Sequence, residues 1–269
     1  MAGMVFTSSF WDDVRGLSIK WRLLSHFLAA GLILYFASPG LHAWWMLVIL
    51  LFGIVWSSNL FNFMDGADGM AGGMALSGFL FYGLAALGQD NVPIALESLS
   101  IATASLAFLL FNFQPARIFM GDAGAIPLGF LAASLGLHGW AQHAWPSWFP
   151  LLVFLPFIAD STVTLIKRLT KGESLLEAHR SHYYQRLILM GWSHRKLALW
   201  AYGLMIVAGI SATIGLTLSL QNLLGTFIFW FCLIGLIMIC IDRKWQRFAK
   251  THNQAVVTDF FQHKPESIE

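Results

Sequence analysis

Leu223 to Ile241 reads LLGTFIFWFCLIGLIMICI, a continuous apolar run without a single charged side chain. A helix needs about 20 apolar residues to cross a hydrocarbon core of about 30 Å, so this run is long enough to span a bilayer. The whole chain shares this character, because 57% of its 269 residues are hydrophobic and only 11% are charged. A soluble domain carries about 25% charged residues. We therefore predict an all-α, polytopic membrane protein, since long apolar runs indicate helices and barrel strands would alternate.

Eight stretches are apolar enough to form membrane spans. They lie at about 21–38, 42–58, 70–88, 93–113, 123–140, 147–166, 197–219 and 223–241. We expect one membrane-embedded domain over residues 1–241 and a polar cytoplasmic tail over residues 242–269. The two cysteines both fall in the last apolar run and indicate neither a disulfide framework nor a zinc motif.

The positive residues predict how the spans are oriented. With eight spans, the N-terminus, the tail and the loops at 59–69, 114–122 and 167–196 share one side of the membrane. All 16 Lys and Arg residues fall on that side. Loops rich in Lys and Arg stay in the cytoplasm. We therefore predict that both termini and these three loops are cytoplasmic.

Carboxylates are concentrated on the same side. Asp12 and Asp13 precede the first span, Asp65 and Asp68 lie in a glycine-rich loop, and Asp122 precedes the fifth span. Taken alone, Asp12 and Asp13 are explained as solvated interface charges or as partners of Arg15, and the other three by helix capping, which Asp does well. Taken together they predict a site for Mg²⁺, with Mn²⁺ as an alternative, because Mg²⁺ prefers one or two carboxylates completed by substrate phosphates.

The loop at 167–196 carries basic and imidazole groups instead. His179, Arg180, His182 and Arg186 lie close together in it. Two imidazoles and two guanidiniums are suited to clamping a diphosphate. A zinc site at the two histidines is an alternative, but no third ligand of matching spacing is present. The histidines elsewhere in the spans, His26 among them, look incidental.

Several stretches resemble the motifs of the polyprenyl-phosphate N-acetylhexosamine-1-phosphate transferases, which are of the glycosyltransferase family 4 type. The Asp12-Asp13 pair, followed by Leu17 and Arg22, resembles the family's first Asp-rich motif. The His-Arg-Ser-His form is closest to the branch that starts O-antigen synthesis. The motifs occur in order over nearly the whole chain. The three central ones are NLFNFMDGADGMA at 59–71, FMGDAG at 119–124 and AHRSHYYQRL at 178–187.

The resemblance implies a Mg²⁺-dependent reaction in which undecaprenyl phosphate attacks the β-phosphate of a UDP-N-acetylhexosamine and UMP leaves. The lipid-linked sugar would initiate O-antigen, lipopolysaccharide or a related cell-envelope glycan. The site residues implied are Asp122 as metal ligand, Asp12, Asp13, Asp65 and Asp68 as catalytic groups, and Asn59, Asn62, His179, Arg180, His182 and Arg186 as substrate-binding groups.

The same resemblance predicts a bacterial inner membrane protein with its active site on the cytoplasmic face. It is compatible with a homodimer, and nothing in the sequence indicates a nucleic-acid partner. The family's first Asp-rich motif follows its third span, whereas here it begins at Asp12. We therefore expect this chain to correspond to the family fold without about three N-terminal spans.

Three other classes of function stay open at this point. An inactive shortened homologue, or a membrane scaffold, would keep the fold without the chemistry. An ion-coupled transporter would use Asp160, which lies inside the sixth predicted span, although transporter sites usually lie near the midplane on broken helices. A CDP-alcohol phosphotransferase is a weaker alternative, because its spacing of Asp and Gly is not found here.

Overall fold

The computed structural model of the protein describes residues 1–37, 43–174 and 179–251. Within these ranges the chain forms eleven α-helices and no β-strand, which confirms the predicted fold class. The helices are α1 Ala2–Arg15, α2 Ile19–Ala37, α3 Trp44–Met64, α4 Met70–Leu87, α5 Val92–Asn112, α6 Gly121–Ala141, α7 Trp148–Val153, α8 Leu155–Thr170, α9 Tyr183–Leu189, α10 His194–Gly215 and α11 Leu220–Thr251.

Seven of the helices in the described ranges are long and apolar enough to cross a membrane, namely α2, α3, α4, α5, α6, α10 and α11. The sixth predicted span, 147–166, is divided instead, because α7 ends at Val153 and α8 begins at Leu155. Pro156 lies in the first turn of α8. Proline has no N–H to donate and disfavours helical backbone at the residue before it, so a helix break here has a local cause.

Two helix boundaries differ from the expected ones, and two further helices were not expected. The apolar run of α3 was expected to end at about residue 58, but the helix continues to Met64, so Asn59 and Asn62 lie on its last turns and not in a loop. The helices α1 and α9 were not predicted. The long helix α11 continues past Ile241 to Thr251, so the beginning of the predicted polar tail is helical. The rest of that tail lies outside the described residues.

Two clusters of buried side chains hold the bundle together. The first joins α1, α2, α3 and α6 and includes Val5, Val55 and Phe130. The second is larger, includes Phe79 and Trp230, and extends over the end of α3 and the helices from α4 to α11. Because α3 contributes to both clusters, its C-terminal end lies where they meet.

The outer surface of the bundle is apolar. Large side chains such as Tyr35, Trp44, Leu110 and Phe231 are exposed on it. In a water-soluble protein so many exposed apolar groups would mark a binding surface or an aggregation hazard. On helices of this length they are the surface that faces lipid.

Candidate functional site

Several helix ends bring carboxylates to the N-terminus of α6. Asp13, near the end of α1, accepts hydrogen bonds from the backbone N–H groups of Asp122 and Ala123, at 3.3 and 2.9 Å. The first helical residue, Gly121, has a φ of 64°. A Cβ atom there would lie 2.9 Å from Asp13 Oδ2, so both the backbone conformation and the contact favour glycine. A helix N-terminus stabilises nearby negative charge, which suits a gathering of carboxylates.

Arg22 on α2 connects two of these carboxylates. Its guanidinium lies 2.8 Å from Asp12 Oδ2 and 2.9 Å from Asp122 Oδ2. Asp12 also accepts a hydrogen bond from the backbone N–H of Leu17. One cation therefore ties together the ends of α1, α2 and α6. Arg22 was expected to belong to the first Asp-rich motif but not to the site. Its position shortly after the Asp12-Asp13 pair is the feature of the sequence that indicates its place in the site.

Asp65, which follows the last residue of α3, belongs electrostatically to the same group. Burial raises the pKa of its carboxyl from 3.8 to about 7. A backbone hydrogen bond from Gly121 lowers that pKa, and the negative charges of Asp122 and Asp13 raise it. Asp12, Asp13, Asp65 and Asp122 are thus brought together, as the sequence predicted.

Asp68 makes its contacts elsewhere. His194 Nδ1, at the start of α10, lies 3.0 Å from Asp68 Oδ1, and the backbone N–H of Ala116 donates to Oδ2 at 3.2 Å. Next to it, the N–H of Gly69 donates to the side chain of Asn112 at 2.9 Å. These bonds fasten the glycine-rich turn to α5 and α10. A direct catalytic role for Asp68 stays a prediction from the resemblance.

A cavity of about 760 Å³ lies beside the carboxylates. Cavities of about 300–1,000 Å³ are typical of small-molecule sites. Its lining comes mainly from α2, α3, α8, the segment before α9 and the start of α9, so both buried clusters contribute to its walls. The polar and aromatic residues of the lining include Arg22, His26, Trp56, Asn59, Asn62, Phe63, His179, His182, Tyr184 and Gln185.

His26 was passed over as incidental, yet it is 2% exposed and lines the cavity. Its Nδ1 atom has no hydrogen-bond partner within the part of the chain that the structure describes. It follows Arg22 by four residues on α2, and residues at that spacing share one face of a helix. The four-residue spacing from Arg22 is therefore the feature of the sequence that indicates a place for His26 in the site.

The two imidazoles predicted to bind substrate are next to each other in the cavity wall. The ring centroids of His179 and His182 are 5.0 Å apart, and Phe63 lies 5.4 Å from His182. His179 Nδ1 is 2.9 Å from Ser181 Oγ. The pKa of His179 is lowered from 6.5 to about 4, mainly by burial and also by the electrostatic influence of His182 and Arg168. His179 is therefore neutral at pH 7 in the free protein.

The remaining predicted residues divide into two groups. Asn59 and Asn62 are in the cavity lining, and Asn59 Nδ2 donates to the carbonyl of Val55 at 2.8 Å. Arg186 donates to the carbonyl of Ser181 at 2.9 Å and pairs with Asp242 on α11 at 3.0 Å. Its contacts link α9 to α11, so its part in substrate binding stays a prediction. Arg180 is half-buried in the segment before α9.

The donor set at the N-terminus of α6 suits a hard divalent cation. Among the described residues, no three His, Cys, Asp or Glu side chains form a complete metal site by themselves. Asp12 and Asp122 nevertheless share one cation, the guanidinium of Arg22, so positive charge is stabilised between them. Mg²⁺ requires only one or two carboxylates when phosphates and water complete its shell. The residues present therefore fit Mg²⁺, with Asp122 as the predicted ligand.

Membrane-spanning helices, with a carboxylate cluster and a polar cavity at their ends, define a multi-pass membrane protein with a site suited to phosphate-bearing ligands. Residues 1–139 match the model of the family described as "Glycosyl transferase family 4". This chain belongs to that family.

Two relatives show how far the similarity extends. A Bacillus subtilis protein named "Probable undecaprenyl-phosphate N-acetylglucosaminyl 1-phosphate transferase" is 28% identical over 95% of this chain and 76% of its own length. A Listeria welshimeri protein named "Phospho-N-acetylmuramoyl-pentapeptide-transferase" is 30% identical over 77% of this chain and 64% of its own length. The chain thus spans about two thirds to three quarters of these relatives.

Proposed function

We propose that this protein transfers an N-acetylhexosamine-1-phosphate from a UDP-sugar to undecaprenyl phosphate, with release of UMP, at the cytoplasmic face of a bacterial inner membrane. The observation that carries the proposal is the position of Arg22. It bridges Asp12 and Asp122 in the carboxylate cluster and also lines the cavity of about 760 Å³. A metal-compatible acidic site and a substrate-sized cavity therefore adjoin at one residue.

In the proposed reaction, an oxygen of the lipid phosphate attacks the β-phosphorus of the UDP-sugar. The bond from that phosphorus to the bridging oxygen breaks, and UMP leaves with the bonding electron pair. Phosphoryl transfer of this kind depends on positioning and charge neutralisation more than on covalent help from the protein. Mg²⁺, when bound, supplies charge neutralisation on the diphosphate.

The protein's own groups have separate tasks in this proposal. Asp12 and Asp13 orient the lipid phosphate, and one of them receives its proton if the phosphate arrives protonated. Asn59 and Asn62 hold the nucleotide, and His182 donates to the diphosphate. The cavity walls hold the reacting groups in one orientation, which is worth several orders of magnitude in rate.

The sugar is proposed at the level of N-acetylhexosamine. Both relatives carry an N-acetylhexosamine in their names, and the Bacillus subtilis match extends over 95% of this chain against 77% for the Listeria welshimeri match. That difference supports a simple N-acetylhexosamine donor over a peptide-bearing one. The O-antigen or lipopolysaccharide pathway is proposed from the His-Arg-Ser-His form alone, with a related envelope glycan as the alternative.

The transporter alternative loses its main support. Asp160 was the carboxylate that favoured it, but Asp160 accepts hydrogen bonds from the backbone of Tyr183 and Tyr184 and from the side chain of Thr164. A carboxylate so fully engaged has little capacity left to bind and release an ion.

The test is an assay of membranes that contain the full chain, incubated with undecaprenyl phosphate, Mg²⁺ and one UDP-N-acetylhexosamine at a time. We expect UMP release and one lipid-linked product, from UDP-N-acetylglucosamine, UDP-N-acetylfucosamine or UDP-N-acetylquinovosamine. Asp122→Ala should reduce the rate by about 10²–10³-fold, the size of effect seen when a group that stabilises transition-state charge is removed.

Glu97→Ala is the matched control, because Glu97 is an exposed acid on α5, away from the cluster. It should leave the rate within about twofold of the unaltered protein, as surface substitutions usually do. Unchanged turnover in Asp122→Ala would contradict the role of Asp122, and absence of product with all three donors would favour the scaffold alternative.

A further inference from the structure

Asp160 is a buried carboxylate in the half of the divided span formed by α8. It is 8% exposed. A carboxylate in such a place is costly unless hydrogen bonds compensate for its lost hydration. The bonds come from the start of α9: the backbone N–H groups of Tyr183 and Tyr184 donate to it at 2.9 and 3.0 Å. Thr164, one turn further along α8, donates its hydroxyl at 3.2 Å.

Through the two backbone contacts, the side chain of Asp160 on α8 caps the N-terminus of α9. Tyr183 and Tyr184 are the first two residues of α9, and their N–H groups have no acceptor inside that helix. The backbone N–H of His182, just before them, donates to the side chain of Gln185 at 3.2 Å. The helix α9 therefore begins at a fixed place relative to α8.

A further contact reaches the imidazole of His182. Its Nδ1 atom lies 3.3 Å from Asp160 Oδ1. The ring is 2% exposed and packs against Phe63 and His179, with centroids 5.4 and 5.0 Å away. The other ring nitrogen, Nε2, is buried and has no hydrogen-bond partner among the residues that the structure describes. The same side chain lines the large cavity.

We propose that Asp160 is a positioning residue, which holds His182 with its Nδ1–H toward the carboxylate and so presents Nε2 to a phosphate oxygen of the sugar nucleotide. The inference rests on the proposed function. Which nitrogen of a histidine carries the proton is set by the hydrogen bond that the other nitrogen makes. When the sugar nucleotide binds, Nε2 takes up a proton from solvent and the resulting Nε2–H donates to the phosphate oxygen. The carboxylate stabilises the positive charge on the ring, and such charge-assisted bonds are the stronger ones.

Binding of UDP to the purified full chain, measured by calorimetry, separates this role from simple capping. We expect Asp160→Asn to weaken UDP binding by about 10–100-fold, as losing the hydrogen-bond partner of a metal-ligating histidine weakens metal binding. His182→Gln should weaken it to a similar extent, and adding Asp160→Asn to His182→Gln should cause no further loss. Thr164→Val is the matched control, since it removes another bond to Asp160 without touching His182, and UDP binding should change by less than about threefold.

Two outcomes would overturn the proposal. The first is UDP affinity in Asp160→Asn equal to that of the unaltered chain. The second is additivity, in which the fold-loss of UDP affinity in the double variant equals the product of the two single fold-losses. Free-energy changes add in this way when two residues do not act through each other.

A spectroscopic measurement keeps the proposal testable even if Asp160→Asn does not fold. In the unaltered chain labelled with ¹⁵N-histidine, the His182 signals, assigned by their loss in His182→Gln, should report hydrogen on Nδ1 in the free protein. A ring that carries hydrogen on Nε2 alone would refute the inference. Failure of the transferase proposal looks different: the unaltered chain would form no lipid-linked sugar, whichever nitrogen carries the hydrogen.

Discussion

At the scale of single residues, the site is built from side chains that serve the fold and the proposed chemistry together. Asp13 satisfies the first N–H groups of α6, and Arg22 joins Asp12 to Asp122. Such groups are expected to be sensitive to substitution for two reasons, stability and activity. His179 differs, because its burial leaves it neutral and its hydrogen-bond partner is a neighbouring serine.

His179 gives a prediction about proton uptake. Its pKa of about 4 in the free protein means that its imidazole ring is uncharged at pH 6. A diphosphate bound nearby would favour the charged ring and raise that pKa. We therefore expect UDP binding at pH 6 to take up a fraction of a proton, measured by calorimetry in buffers of different ionisation enthalpy. His179→Asn should reduce the uptake and leave only the part due to other groups such as His182, and equal uptake in that variant would assign all of it to another group.

The lowered pKa of His179 also predicts how the stability of the fold depends on pH. The folded-state pKa of about 4 lies below the ordinary value of 6.5, so between these values the unfolded chain binds more protons at this position. Stability due to neutral His179 is therefore fully present above pH 6.5 and is lost as the pH falls toward 4. The unfolding temperature of His179→Asn should fall less than that of the unaltered protein over this range.

At the scale of helices, close packing of α3 against α6 positions Asp65, which follows α3, near Asp122. The contact depends on Gly129, where a Cβ atom would lie 2.3 Å from the backbone carbonyl oxygen of Ser57. The hydroxyl of Ser57 donates to the carbonyl of Gly129 at 2.8 Å. A side chain at this point would push the two helices apart.

Gly129→Ala should therefore destabilise the protein by about 1–3 kcal/mol, the usual cost of overpacking. It should also lower the proposed activity, because the carboxylates and the cavity wall would separate. Gly53→Ala is the control, since Gly53 is on α3 but has open space around it. Thermal unfolding in detergent measures both, and equal unfolding temperatures for the two variants would contradict the close approach.

A second link between helices is made by Asp242 on α11. It pairs with Lys167 on α8 and with Arg186 on α9, and Tyr183 Oη lies 3.1 Å from it. Asp242→Ala should lower stability by about 1–2 kcal/mol, since these are charge-assisted but partly exposed bonds. Lys244→Ala, an exposed neighbour on the same turn, should have no measurable effect on the unfolding temperature.

At the scale of the whole molecule, the distribution of Lys and Arg predicts topology. A cysteine introduced at the exposed Gln89 should react from outside intact cells with a membrane-impermeant maleimide, in a background with Cys232 and Cys240 replaced by serine. A cysteine at the exposed Lys171 should react only after the cells are opened. Labelling of both in intact cells would contradict the predicted orientation.

Much of this architecture followed from the sequence, because membrane spans depend on local apolar length. The residues of the carboxylate cluster were predicted too, since Asp at the ends of several spans on one side must lie near one membrane face. The break at Phe154 was missed because hydropathy averages over a window and ignores the missing N–H of Pro156. His26 and the partners of Asp160 and Asp242 were missed because they depend on which helices pack together, which one sequence does not specify.

The length of α11 has a last consequence, for the depth at which the cavity lies. Its apolar run from Leu223 to Ile241 rises about 28 Å, close to the thickness of the hydrocarbon core, and Asp242 follows at once. Asp242 contacts α9, and the start of α9 lines the cavity. On the predicted topology, the start of α9 therefore lies near the level of the phospholipid phosphates. In the proposed reaction, the phosphate of the carrier lipid would meet the water-soluble donor at that level.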